Sequence, residues 1–187
     1  MCNAEADLRR LTAILVADPA RWRALQTVSA LSPTTCWIGA GFVRNAVWAN
    51  LHGSPSPVEA ADVDVVHYSP EAAAALDTAV ETSLTRQAPA YRWSVKNQAL
   101  MAARNGDCPY CSLEEALRHW PETATAVAVR LDHGKLSLCA PYGLEDLFDL
   151  VLRPTPDFRA TKAAPFERRL NEKQWLTLWP RLRRRDA

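Results

Sequence analysis

Asp62 and Asp64, in the stretch ADVDVVHYSP, stand two residues apart in a run otherwise dominated by valine. Side chains alternate along a strand, so both carboxylates share one face while Val63 and Val65 turn the other way, toward a core. Two carboxylates ~5 Å apart repel by roughly 3 kcal/mol at an effective dielectric of about 20, and something positive has to offset that. Water and salt suffice on a solvated face. The chemical alternative is a hard divalent cation such as Mg²⁺, which takes carboxylate oxygens and keeps open positions for phosphate.

Upstream lies CWIGAGFVRNAVW, with Gly39 and Gly41 at a strand-to-helix turn and Arg44 on the first helical turn. Glycines let a backbone approach phosphate closely, and a helix start offers unpaired N–H groups and partial positive charge. A triphosphate suits such a place. Gly-x-Gly is also ordinary turn chemistry, and the third glycine of a dinucleotide fingerprint is missing.

The elements that must position these residues follow from periodicity and punctuation. EADLRRLTAILVA and DPARWRALQTVSAL predict two leading helices, the second with Asp18 as N-cap and Pro19 at its first position. After the breaker SPT, TCWIGAG predicts a strand and FVRNAVWANLHG a helix closed by Gly53. The aspartate strand is followed by SPEAAAALDTAVETSLTRQ, a helix with Ser69 as N-cap and Pro70 next, and by the strand AYRWSVKNQ. SLEEALRHW carries a capping-box pattern in Ser112 and Glu115. ATAVAVRL and GKLSLCAP around DHG predict a hairpin, GLEDLFDLVL a short helix, and FERRLNEKQWLTLWPRL a final one. The fold class is α+β (α/β), strands alternating with helices.

The 187 residues, with 48% hydrophobic and 23% charged side chains, fit a soluble globule. A net charge of +1 gives no global case for nucleic acid, and no DNA partner is expected. The tail RLRRR is read as a solvated end. No apolar run approaches the ~20 residues that span a bilayer, and the start lacks a signal-peptide pattern, so a cytoplasmic location without membrane partners is expected. Five cysteines, an odd number without a regular framework, fit reduced thiols.

A glycine turn with Arg44 and Asn45, followed by a strand bearing Asp-x-Asp, resembles the head domain of the nucleotidyltransferase superfamily. The likeness is to the GG-x-VRD … D-x-D layout of CCA-adding enzymes and bacterial poly(A) polymerases. WSVKNQALMAARNGDCPY, HWPETATAVAVRL and APYGLEDLFDLVLRPTP are similar to a family of small bacterial nucleotidyltransferases once described as a domain of unknown function. The resemblance runs roughly from Cys36 to the final helix. It implies a mixed β-sheet flanked by helices, in one domain over 1–187 with N-terminal helices at 4–31 and a C-terminal helix and basic tail at 162–187.

The resemblance further implies that Asp62 and Asp64 bind Mg²⁺ or Mn²⁺, and that Gly39, Gly41, Arg44 and Asn45 face the nucleotide. The implied reaction moves a nucleoside monophosphate from an NTP to an acceptor hydroxyl, with pyrophosphate leaving. The acceptor stays open: an RNA end, a small molecule or a protein side chain. Many relatives use a third carboxylate from a neighbouring strand, where AYRWSVKNQ offers Lys96 and Asn97. Glu122 is the candidate substitute, or else a charge at a helix start. Lys96 either reaches a phosphate or pairs with an aspartate. The chain departs from the pattern at Ala40, which interrupts the glycine pair, and at Asn45, where the pattern has aspartate. Only some forty residues follow APYGLEDL, so a complete tRNA-tailing enzyme is not expected.

Two other readings stand beside this one. The same fold can serve as a non-catalytic nucleotide-binding or protein-interaction module. CPYC, Cys108 to Cys111, has the spacing of a thiol-disulfide motif, but lies past the middle of the chain instead of after a first strand. Zinc lacks a second ligand pair, and His67 is assigned to packing or surface. The seven tryptophans sit among apolar residues and are mostly assigned to the core, Trp175 and Trp179 on one helix face.

Overall fold

The computed structural model describes residues 2–31, 36–58, 62–72 and 75–186. Helices α1 (Cys2–Val16) and α2 (Pro19–Leu31) lead the chain, and Asp18 caps the second by accepting from the Arg21 N–H at 3.0 Å. The SPT breaker lies outside the described residues. Strand β1 (Trp37–Gly39) feeds α3 (Gly41–His52), which Gly53 closes in the left-handed conformation at φ 63°. Then come β2 (Asp62–His67), α4 (Ala75–Gln87) and β3 (Arg92–Asn97).

A 3₁₀ turn (Gln98–Leu100), α5 (Met101–Asn105) and α6 (Leu113–Arg118) lead to the hairpin β4 (Ala128–Asp132) and β5 (Lys135–Cys139). His133 and Gly134 take φ 48° and 78° at its tip, the paired left-handed residues of a tight turn. The chain ends with α7 (Glu145–Phe148), β6 (Val151–Leu152), α8 (Pro156–Arg159), α9 (Ala163–Lys173), α10 (Trp175–Leu178) and β7 (Arg183–Arg184).

Five strands form a mixed sheet in the order β3-β2-β1-β4-β5. Strands β2 and β3 are parallel, as the intervening α4 allows, and the other neighbours are antiparallel. One face carries Val63, Val65, Val95, Ile38 and Val129 into a core with Leu11, Leu25, Val47 and Leu84 from α1 to α4. The opposite face is only partly covered: Val66 and Ala128 pack with Leu117 of α6, Trp37 and Trp120. Asp62 and Asp64 belong to that second face, because alternation commits Val63 and Val65 to the core.

Three expectations change in the structure. Ser69 does not cap α4, which is described from Ala75; its N–H donates to Asn97 Oδ1 at 3.1 Å and its carbonyl accepts from Asn97 Nδ2 at 2.7 Å, so it is tied to the end of β3. The helix expected over GLEDLFDLVL stops at Phe148, because Leu150 turns left-handed at φ 56° and Val151–Leu152 pair with β7. The final helix breaks at Gln174, φ 50°, which turns Trp175 and Trp179 edge-on toward Trp48 at 6.0 and 6.3 Å between centroids. The arginines of the basic tail are exposed, with Arg183 and Arg184 in β7 and Arg184 paired with Glu167 and Asp186 at 2.5 and 2.7 Å.

Candidate functional site

Parallel register sets Asp62 beside Arg92, Asp64 beside Ser94 and Val66 beside Lys96. Asp64, Val66, Ser94 and Lys96 floor a cleft of about 340 Å³, within the size range of small-ligand sites. Asp62, two residues earlier on the same strand face, is not one of the residues that line the cleft; it is exposed and 3.3 Å from Arg92 Nε. Asp64 is half-buried and makes no hydrogen bond or ion pair among the described residues. Burial raises its pKa above the ordinary carboxylate value and Asp62 adds to the rise, opposed by Arg44, Arg169 and Lys173. A carboxylate that has lost water without gaining a donor, beside a second carboxylate on the same face, fits a hard divalent cation. Lys96 is exposed and forms no ion pair with either aspartate among the described residues.

Ala40 brings the glycine turn to the cleft wall. Its φ 53°, ψ −126° conformation strains any residue with a Cβ. Gly39 has a packing reason: a Cβ there would stand 3.0 Å from the Val127 carbonyl oxygen and 3.1 Å from the Trp120 ring. Gly41 opens α3, which has no side-chain cap. The first N–H groups of a helix have no acceptor within it, so this end offers donors to an anion.

Arg44 does not line the cleft. Its buried guanidinium donates to Thr125 Oγ1 at 3.0 Å and Asn45 Oδ1 at 2.9 Å, and lies over Trp175 at 4.3 Å. Burial lowers its pKa, with Glu122 opposing, and at neutral pH it stays charged. Arg44 and Asn45 therefore tie α3 to Thr125, a cleft residue.

Glu122 is fully buried, outside any helix; Oε1 accepts from Arg169 Nε at 2.6 Å, while Oε2 is buried with no hydrogen-bond partner. What it presents to the cleft is Arg169, which lines it. No sequence signal distinguished Arg169 from its neighbours in FERRLNEK. The same holds for Lys162 and His119, also on the cleft wall. Trp120, expected in the core, has one face on the cleft and donates Nε1–H to Gln98 Oε1 at 3.2 Å.

At the far wall, ligand atoms of Asp107, His119 and Asp157 come within 4.8 Å of one another, a grouping able to hold a metal ion. An ammonium already serves there: Lys162 Nζ bonds Asp107 Oδ1 at 2.5 Å, and the Tyr110 hydroxyl donates to Oδ2 at 2.6 Å. Partial burial works to raise the Asp107 pKa, but these two bonds outweigh it and hold the carboxyl below its usual value. Cys108 and Cys111 are exposed free thiols ahead of the Ser112 cap, and Glu115 pushes the Cys111 pKa up. His67 is a buried structural residue, bonded to Asp77 at 2.8 Å and Ser69 at 3.1 Å.

A strand–turn–helix beside a carboxylate-bearing strand, on this mixed sheet, defines the head-domain fold of nucleotide-adding enzymes. The chain belongs to a nucleotidyltransferase family, whose pattern matches residues 26–184. A solution structure described as a CCA-adding enzyme head domain is 30% identical, with TM-score 0.81 over 93% of this chain and 95% of that one. A CCA-adding enzyme in complex with CTP (14% identity, TM-score 0.64) and the Thermotoga maritima CCA-adding enzyme complexed with tRNA (15%, 0.61) share the fold. The match covers 94% and 95% of this chain but only 43% and 42% of those two. No protein of curated function matches the sequence. Among the described residues no helix is long and apolar enough to cross a membrane.

Proposed function

We propose that the protein, acting as one domain over 1–187 in a bacterial cytoplasm, transfers a nucleoside monophosphate from an NTP to an acceptor hydroxyl, releasing pyrophosphate. Asp62 and Asp64 hold the Mg²⁺ or Mn²⁺ this requires. The observation that carries the reading is Asp64, half-buried with no donor among the described residues and lining the same cleft as Ala40, the residue before the uncapped start of α3. The bound cation supplies charge neutralisation at the attacking and leaving oxygens.

The remaining work falls to the chain itself. The first-turn N–H groups from Gly41 onward donate to phosphate oxygens, and Lys96 and Arg169 neutralise others. Gly39 lets the turn lie against β4. Arg44 and Asn45 hold α3 in register, and Glu122 aims Arg169, so these three are positioning residues. The apolar wall of Trp120, Met101 and Phe158 gives a base or acceptor a surface to pack on.

The test is incubation with Mg²⁺, a cell extract and each NTP labelled at the α-phosphate. Label entering an acceptor fraction with equimolar pyrophosphate, lost in Asp64→Asn, is the expected result; transfer of a γ-label instead would refute it. One observation favours a non-catalytic nucleotide-binding module: β3 turns Arg92, Ser94 and Lys96 toward the aspartates and no acid. Nucleotide binding without pyrophosphate release from any extract would select that reading.

A further inference from the structure

If β3 offers no carboxylate beside Asp64, the acceptor hydroxyl needs another base. Among the described residues that line the cleft, Asp64 and His119 are the carboxylate and imidazole groups, and Lys96, Lys162 and Arg169 are the basic ones. With Asp64 committed to a cation, His119 is left. We infer that His119, oriented by Asp157, is the general base that takes the proton from the acceptor hydroxyl, an inference that rests on the nucleotidyl-transfer reading above.

The ring is held as a base must be. Nδ1 lies 2.5 Å from Asp157 Oδ2, and an ionised carboxylate only accepts, so Nδ1 carries the proton and Nε2 of the neutral ring keeps its lone pair. Nε2 makes no hydrogen bond among the described residues, and the side chain is 29% exposed. Tyr110 stacks on the ring at 4.8 Å between centroids, 22° from parallel, which fixes its plane. This is the base-plus-orienter geometry of nucleophile activation.

Asp107 lies 4.0 Å from Nδ1, but Lys162 and Tyr110 already satisfy it. Asp64, Lys96 and Arg169 are the other charged side chains on the cleft wall. In the step, the acceptor proton passes to Nε2 as its oxygen bonds to the α-phosphorus. The bond from that phosphorus to the bridging oxygen of the β-phosphate breaks, and pyrophosphate leaves with the electron pair. His119 then gives its proton to water.

His119→Asn tests this, since its amide retains a donor toward Asp157 and removes Nε2. With α-labelled NTP, Mg²⁺ and the extract fraction labelled by the wild type, the expected result is a fall in kcat of about 10²-fold or more. The Mg-NTP affinity should stay within threefold, and the acidic limb of the kcat/KM–pH profile should become shallower by one proton, leaving the part that belongs to Asp64. Asp157→Asn should give a smaller fall and a displaced limb. Wild-type-like turnover with the acidic limb intact in His119→Asn overturns the inference alone. Absence of turnover in the wild type overturns the transfer reading and this inference together.

Discussion

Burial and Asp62 both disfavour the ionised form of Asp64, so its charge opposes folding wherever that form prevails. The fold binds this proton more tightly than the unfolded chain. Stability therefore falls as pH rises from the ordinary aspartate range through the raised folded value, and levels off above it. Asp64→Asn should raise Tm of the metal-free protein at neutral pH, by about 2–4 °C for each 1 kcal/mol recovered. The same variant should lose the further rise that Mg-NTP gives the wild type; calorimetry with and without Mg-NTP reads both, and a lower metal-free Tm would contradict the strain. Ala40 offers a second test: Ala40→Gly relieves a conformation costing of order 1–3 kcal/mol against about 0.4–1 kcal/mol of added chain entropy. A small gain in the urea midpoint is expected. The common face of Asp62 and Asp64 is legible from strand alternation alone. That Arg44 serves Thr125 and Trp175 is not, because those partners are remote in sequence.

At the scale of elements, α9 is fastened to the sheet side of the cleft by Arg169 and Glu122. Arg169→Met strands a fully buried carboxylate and should cost about 3–5 kcal/mol in urea unfolding, most of it recovered when Glu122→Gln is added. The Asp107–Lys162–Tyr110 clamp, which joins the α5–α6 loop to the start of α9, is acid-labile in a defined direction. Because Asp107 is held below its usual value, its contribution is complete at neutral pH and is lost as pH falls through the carboxylate range. Urea midpoints against pH should drop less steeply below neutrality in Asp107→Asn. Helices α2 and α3 and the β4–β5 hairpin are readable because their signals are local: Asp18-Pro19, Gly53, His133-Gly134. The early stop of α7 and the break at Gln174 answer to β7 and Trp48, which no local pattern announces.

For the whole molecule, one sheet face holds the core and the other holds chemistry, because α1 to α4 cover the first and leave the second to loops and to α6, α8 and α9. The family was legible because its motifs are short and contiguous, from the glycine turn through APYGLEDL. The far wall of the cleft was not, since His119, Lys162 and Arg169 meet only after the last helices fold back. Carboxylates gather at two places, in the cleft and behind its far wall, and they differ in what they already hold: a lysine ammonium bonds Asp107, whereas Asp64 has no hydrogen-bond or ion-pair partner among the described residues. A Mn²⁺ titration followed by amide-resolved NMR, with a non-hydrolysable NTP present, distinguishes them. Metal capture by Asp62 and Asp64 predicts broadening centred on β2 and the first turn of α3, abolished in Asp64→Asn; broadening centred on Asp107, His119 and Asp157, unchanged in that variant, would contradict it.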